Sequence, residues 1–268
     1  MKIEQLEKEY LEHSVFVQLS QYADFYDALS YSIMGFVSPV RGPGIFMLNL
    51  DVCVFTSLQN TLDSIKETLS KGSISDAYAL LRKFYDSTII NIYTNLYINK
   101  SKSSGSIIVE KIENWKNGKD KIPEFREMSE YIKKSDELKS MVELLEKDKT
   151  YKNIRQRCND HVHYNYYHIF LRNGNVGVEL SDKIDALNIF STDVAAIFIQ
   201  HFAYLFYLNE HYMSSSDYSD YMDMGMKPEE GSQYWVAPFI QDIFDKWIKP
   251  NRPDIADEIK LKTFMELK

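Results

Sequence analysis

Helical periodicity dominates this chain, carried in long runs without proline or glycine. "EKEYLEHSVFVQLSQYADFYDALSYSIM" (7–34) meets no breaker before Gly35. "IFMLNLDVCVFTSLQNTLDSIKETLSK" (45–71) is stopped by Gly72, and "SISDAYALLRKFYDSTIINIYTNLYI" (73–98) follows it. In the last run Ala77, Leu80, Leu81, Phe84, Tyr85, Ile89, Ile92, Tyr93 and Leu96 recur close to the 3.6-residue helical period. Ser73 or Ser75 suits the cap of that helix and Asp76 its first turn.

Between the runs lie turn signals. "GFVSPVRGPG" (35–44) is a loop, "NKSKSSGS" (99–106) a polar loop, and "NGKDKIP" a turn between a short helix ending near Trp115 and a charged helix over 124–147. A polar helix begins near Thr150 and ends before "RNGN"; "VGVEL" is expected to form a small hairpin. "STD" or "SDKID" opens an apolar helix running to Tyr212. Pro238 either kinks the amphipathic segment "SQYWVAPFIQDIFDKWI" or marks its true start. The expected class is all-α, an antiparallel helical bundle over 49–212. A helical extension (1–48) precedes it, and an acidic linker with C-terminal helices (213–268) follows.

Charge and cysteine content narrow the function. Net charge is −8, against broad nonspecific nucleic-acid binding. Residues 99–157 nevertheless carry 15 basic against 11 acidic side chains, leaving −12 on the remainder, a distribution suited to a local phosphate-binding surface or to a solvated helical face. The N-terminus lacks a signal-peptide pattern. The most apolar stretch, "VAAIFIQHFAYLFYL" (194–208), falls short of the roughly 20 residues of a membrane span, so no membrane partner is expected. Cys53 and Cys158 make no disulfide framework, which fits a cytoplasmic protein with free thiols.

The chemistry-bearing segment is "KNIRQRCNDHVHYNYYH" (152–168), which holds three of the six histidines. Read as one helix over 150–171, it places Tyr151, Ile154, Cys158, Val162 and Ile169 on a core stripe. Arg157 and His161, about 40° apart around the axis, share one flank, which Tyr164 and His168 continue. His163 falls on the opposite flank with Asn159 and Gln156, so two antiparallel copies of the helix would be needed to bring all these groups together. His161 and His163 point to different sides, and no Cys/His/Glu set completes a metal site, so no metal or cofactor is expected. Cys158 reads as packing rather than as a nucleophile.

"RQRCNDHVHYN" resembles the signature of the HEPN superfamily of helical-bundle proteins: an Arg, a nearby polar residue, and a His after four to six positions. Arg157 and His163 fit with Asn159 and Asp160 between them; Arg155 and His161 also fit, whereas Arg157 and His161 stand too close. "DAYALLRKFYDSTI" is similar to an early bundle helix of such proteins.

The resemblance implies a homodimeric, metal-independent endoribonuclease, with a toxin or phage-defence role and an antitoxin or defence-system partner. It assigns catalysis to Arg157, His163, Asn159, Asp160 and His161, and substrate binding to Arg155, Tyr164 and His168. The residue types suit the reaction. Imidazole moves protons near neutrality, and a guanidinium fork matches a phosphate in the transition state. The expected products are a 2′,3′-cyclic phosphate and a 5′-OH. Two other readings remain at this stage: a non-catalytic HEPN-like module binding nucleotide, RNA or a protein, and a helical scaffold whose Arg157 and His161 pair with Glu143 or Glu146.

Overall fold

A computed structural model describes residues 7–37, 43–103, 109–174, 177–215, 218, 220–221, 224–227 and 236–268. Among them there is no strand, and the chain is all-α. The helices are α1 (Lys8–Leu11), α2 (Val15–Val37), α3 (Pro43–Ser70), α4 (Ile74–Ser103), α5 (Glu110–Lys116), α6 (Phe125–Lys133) and α7 (Lys139–Leu145). They continue with α8 (Thr150–His163), α9 (Tyr167–Leu171), α10 (Leu180–Leu208), α11 (Pro238–Ile243) and α12 (Pro253–Lys262).

Several expected boundaries shift for local reasons. The first run breaks after Leu11, where His13 Nδ1 accepts the Val15 N–H and so starts α2 as a new helix. Residues 99–103 extend α4 instead of forming a loop. The charged segment 124–147 is two helices, interrupted at "KSD" (134–136), where Ser and Asp compete with the helical ladder. No hairpin forms over 177–179, since α10 begins at Leu180. "STD" (191–193) therefore lies inside α10, while "SDKID" occupies its first turns. Pro238 is the first helical position of α11, where its missing N–H costs nothing. Of the loop expected over 35–44, residues 35–37 end α2 and 43–44 begin α3, while residues 38–42 lie outside the described residues.

Contacts group the chain into two compact units. The first comprises Met1–Asp27, Thr56–Ser87 and Asp148–Phe198. Its core carries fully buried Tyr22, Tyr26, Tyr78, Phe84, Phe190 and Phe198. The Tyr22 and Phe198 rings stack at 3.8 Å, and each buried ring is worth about 1.5–3 kcal/mol by area. Tyr78 meets His161 and Asp86 meets Arg155, so α4 and α8 run antiparallel.

The second unit comprises Ala28–Phe55, Thr88–Lys147 and Ile199–Lys268. The C-terminal helices belong to its core: Ile240, Ile243, Phe244, Ile248, Ile255 and Ile259 are fully buried. Arg252 donates to the Leu144 carbonyl at 2.9 Å, and the Tyr207 hydroxyl donates to Glu258 at 2.8 Å. α10 contains the one window among the described residues long and apolar enough to cross a membrane; 72% of that window is buried inside the protein.

Candidate functional site

The motif residues sit on α8 and the turn after it, within the first unit. Tyr151, Ile154, Cys158 and His161 are the buried residues of α8, at spacings of three and four. His161 thus occupies the core stripe, and Val162 is only half-buried, contrary to the expectation that His161 lies on a polar flank. The helix also stops sooner than expected. Tyr164 adopts a left-handed conformation (φ 47°, ψ 46°), and the Asn165 N–H returns to the Asp160 carbonyl at 3.0 Å, closing a Schellman-type end. Asn165 also donates its amide to Asp160 Oδ1 at 2.7 Å. Tyr164 and His168 therefore do not continue a flank of α8; His168 belongs to the separate helix α9.

A connected polar group surrounds Arg157. Its Nε and Nη2 donate to Asp193 Oδ2 and Oδ1 at 2.7 and 2.8 Å, a bidentate pair. The Asp193 side chain is 3% exposed and that of Arg157 38%. The hydrogen bonds to Asp193 push the guanidinium pKa above its ordinary value. Tyr78 donates its hydroxyl to Asp193 Oδ2 at 3.1 Å; burial, then the Asp193 charge, raises its pKa. The Tyr78 ring stacks on His161 at 4.0 Å with 17° between planes.

The tautomer of His161 follows from its partner. The Ser75 hydroxyl donates its one hydrogen to the Ile169 carbonyl at 2.7 Å. Its oxygen must therefore accept from His161 Nδ1–H at 3.0 Å, which leaves the lone pair on Nε2. Burial, followed by the positive field of Arg172, lowers the His161 pKa to about 4, so the ring is neutral in the physiological range. Burial and the Asp193 charge push the Cys158 thiol up to about 12, in keeping with a packing role.

The remaining motif residues divide between paired and outward-facing. Arg155 makes a very short ion pair with Asp86. Asp160 accepts from Gln156 at 2.9 Å in addition to Asn165. Asn159 Oδ1 is buried without a hydrogen-bond partner. His163 and His168 are exposed; His168 lies nearly parallel to Tyr166, with centroids 5.8 Å apart. The structure thus joins Arg157 and His161 through Tyr78 and Asp193, and sets His163 outside that group. The partner of Arg157 is Asp193 and that of His161 is Ser75.

Sequence reasoning missed Asp193, Tyr78 and Asp86. Tyr78, Arg82 and Asp86 stand four apart on α4, a stripe that faces α8, and Asp193 is a lone acid in an apolar run. Both signals were present in the sequence.

The second unit holds a separate buried polar cluster. Asp51 Oδ1 accepts from the amides of Asn91 and Asn95 at 2.7 and 2.9 Å, and Oδ2 accepts the Tyr212 hydroxyl at 2.6 Å. Asn91 Oδ1 accepts His201 Nε2–H at 2.9 Å, and Asn209 donates to Asn95 Oδ1 at 3.0 Å. Burial lowers the His201 pKa to about 3. Every member is at most 4% exposed, so this cluster fixes the packing of its helices rather than presenting groups to solvent.

Compared with family models, curated proteins and solved structures, the chain matches none.

Proposed function

We propose that the chain is a metal-independent endoribonuclease of the HEPN type that acts as a homodimer, in a toxin or phage-defence role. The observation that carries this reading is the state of Arg157. Buried Asp193 fixes two of its five N–H groups, and the half-exposed guanidinium keeps its other donors for an incoming phosphate. His163, exposed at the end of the same helix, supplies the imidazole that takes the 2′-OH proton or protonates the 5′-oxygen. The two residues are six apart, so about 120° apart around the axis, and a pair drawn from two copies of α8 satisfies the geometry that one copy does not. His161 serves here as a positioning residue, neutral and stacked on Tyr78.

The test is RNA incubated with the purified chain in the presence of a chelator. Wild type is expected to yield 2′,3′-cyclic phosphate and 5′-OH ends, and His163→Ala and Arg157→Lys to lose at least a hundredfold in rate. Cleavage surviving both substitutions removes the reading. One observation favours a second reading, a non-catalytic module that binds RNA, nucleotide or a protein: Arg157 is already engaged by Asp193. Under it, RNA binds but stays intact.

A further inference from the structure

We infer that the aromatic run from Tyr164 to Phe170 is a stacking platform for the unpaired bases of single-stranded RNA, set beside His163; the inference rests on the reading above and names the substrate class of that site. Four of its seven residues are exposed Tyr or Phe rings: Tyr164 (39%), Tyr166 (55%), Tyr167 (78%) and Phe170 (59%). They are 4 of the 12 exposed large hydrophobic side chains among the described residues, so the apolar surface is concentrated at the end of the motif helix. Only Ile169 anchors the run in the core.

The backbone at the start of the run, at Tyr164, is held at a cost. Tyr164 is the single non-glycine residue with positive φ among the described residues, a conformation that favours glycine or asparagine. Three contacts hold it: Asn165 N–H to the Asp160 carbonyl, the Asn165 amide to Asp160 Oδ1, and the Asn173 amide donating to the Tyr164 hydroxyl at 3.0 Å. Strain held in place by surrounding bonds is a mark of functional surfaces.

Charge selects the partner. Between His161 and Val178 there is no Asp or Glu, in a chain of net charge −8, and the stretch carries His163, His168 and Arg172. The nearest acids are engaged: Asp160 by Gln156 and Asn165, Asp76 by Asn173. Exposed rings beside Arg172, on a stretch with no acidic side chain of its own, fit a phosphodiester backbone whose bases are free to stack. A duplex hides those base faces.

Fluorescence anisotropy tests this with a 2′-O-methyl RNA of about twelve nucleotides, which offers no 2′-OH for cleavage, as a single strand and as its duplex. The full chain is expected to bind the single strand at least tenfold more tightly than the duplex. Tyr167→Ala with Phe170→Ala should weaken single-strand binding by about ten- to a hundredfold, with melting temperature and elution volume unchanged, while Tyr167→Phe binds as wild type. Failure of wild type to bind, equal binding of the duplex, or undiminished binding by the double variant overturns the inference. So does loss of binding together with a shift from dimer to monomer, which assigns the rings to an interface between copies. Because the probe cannot be cut, intact natural RNA alongside the expected binding pattern removes the ribonuclease reading and leaves the platform standing.

Discussion

The guanidinium of Arg157 and the carboxylate of Asp193 meet through two parallel hydrogen bonds of 2.7 and 2.8 Å, with the acid buried and the base half-exposed. That asymmetry governs how mutations at the site must be read. Arg157→Ala strands a buried carboxylate with only Tyr78 among its named donors, and is expected to cost about 3 kcal/mol. Asp193→Ala leaves a guanidinium that solvent can reach and should cost about 1–2 kcal/mol. Urea unfolding of both variants checks the order; Arg157→Ala proving no more destabilising than Asp193→Ala would contradict it. For activity assays Arg157→Lys is the cleaner substitution, since it keeps a charge beside Asp193 and removes the fork.

Stability should fall on acidification below the ordinary histidine range. His161 and His201 are buried and neutral, with pKa values lowered to about 4 and about 3. The unfolded chain takes up these two protons near pH 6.5, and the folded chain does so only below about 4. The stabilisation is therefore complete above pH 6.5 and is lost progressively as pH falls toward 4. Urea midpoints measured from pH 7 to pH 4 should decline steeply, and His201→Gln should flatten part of that slope. A pH-independent midpoint over this window would rule the assignment out.

Tyr212→Phe removes the 2.6 Å hydroxyl bond to Asp51 while keeping the ring. The carboxylate oxygen then loses a charge-assisted donor in a site where no member is more than 4% exposed, at a cost of about 1.5–3 kcal/mol. A change below half a kcal/mol, by thermal or urea unfolding, would mean that water replaces the phenol.

Tyr164→Gly separates strain from packing. Glycine accepts the left-handed conformation without penalty but gives up the ring contact with Phe170 (5.0 Å) and the bond from Asn173. The variant is expected to stay within about 1 kcal/mol of wild type in stability, because the ring is exposed, and to bind single-stranded RNA less tightly. A loss above about 3 kcal/mol would show that the ring is a structural anchor.

The helical class was legible because the 3.6-residue period of α4 and the apolar content of α10 survive any tertiary context. The C-terminal end of α8 was not, although its start at Thr150 was. Periodicity carries through "HYNYYHIF" without a break, and only the left-handed turn at Tyr164, a conformation that a tyrosine rarely adopts, ends the helix there. That turn takes Tyr164 and His168 off the face of α8, whereas His161 lies before it, on the buried stripe with Ile154 and Cys158. "STD" has the composition of a cap, and only the packing of α10 against α8 sets Asp193 opposite Arg157. The Arg157–His163 spacing was readable directly, since it is a property of one helix.

Subunit mixing asks whether Arg157 of one copy works with His163 of another. Arg157→Lys and His163→Ala chains, each inactive alone, are co-expressed and assayed on RNA. Random pairing gives half mixed dimers, each with one site that has both wild-type residues, so about a quarter of wild-type cleavage should return. No recovery in a mixture shown to contain mixed dimers, or cleavage by either variant alone at the wild-type rate, would contradict that pairing.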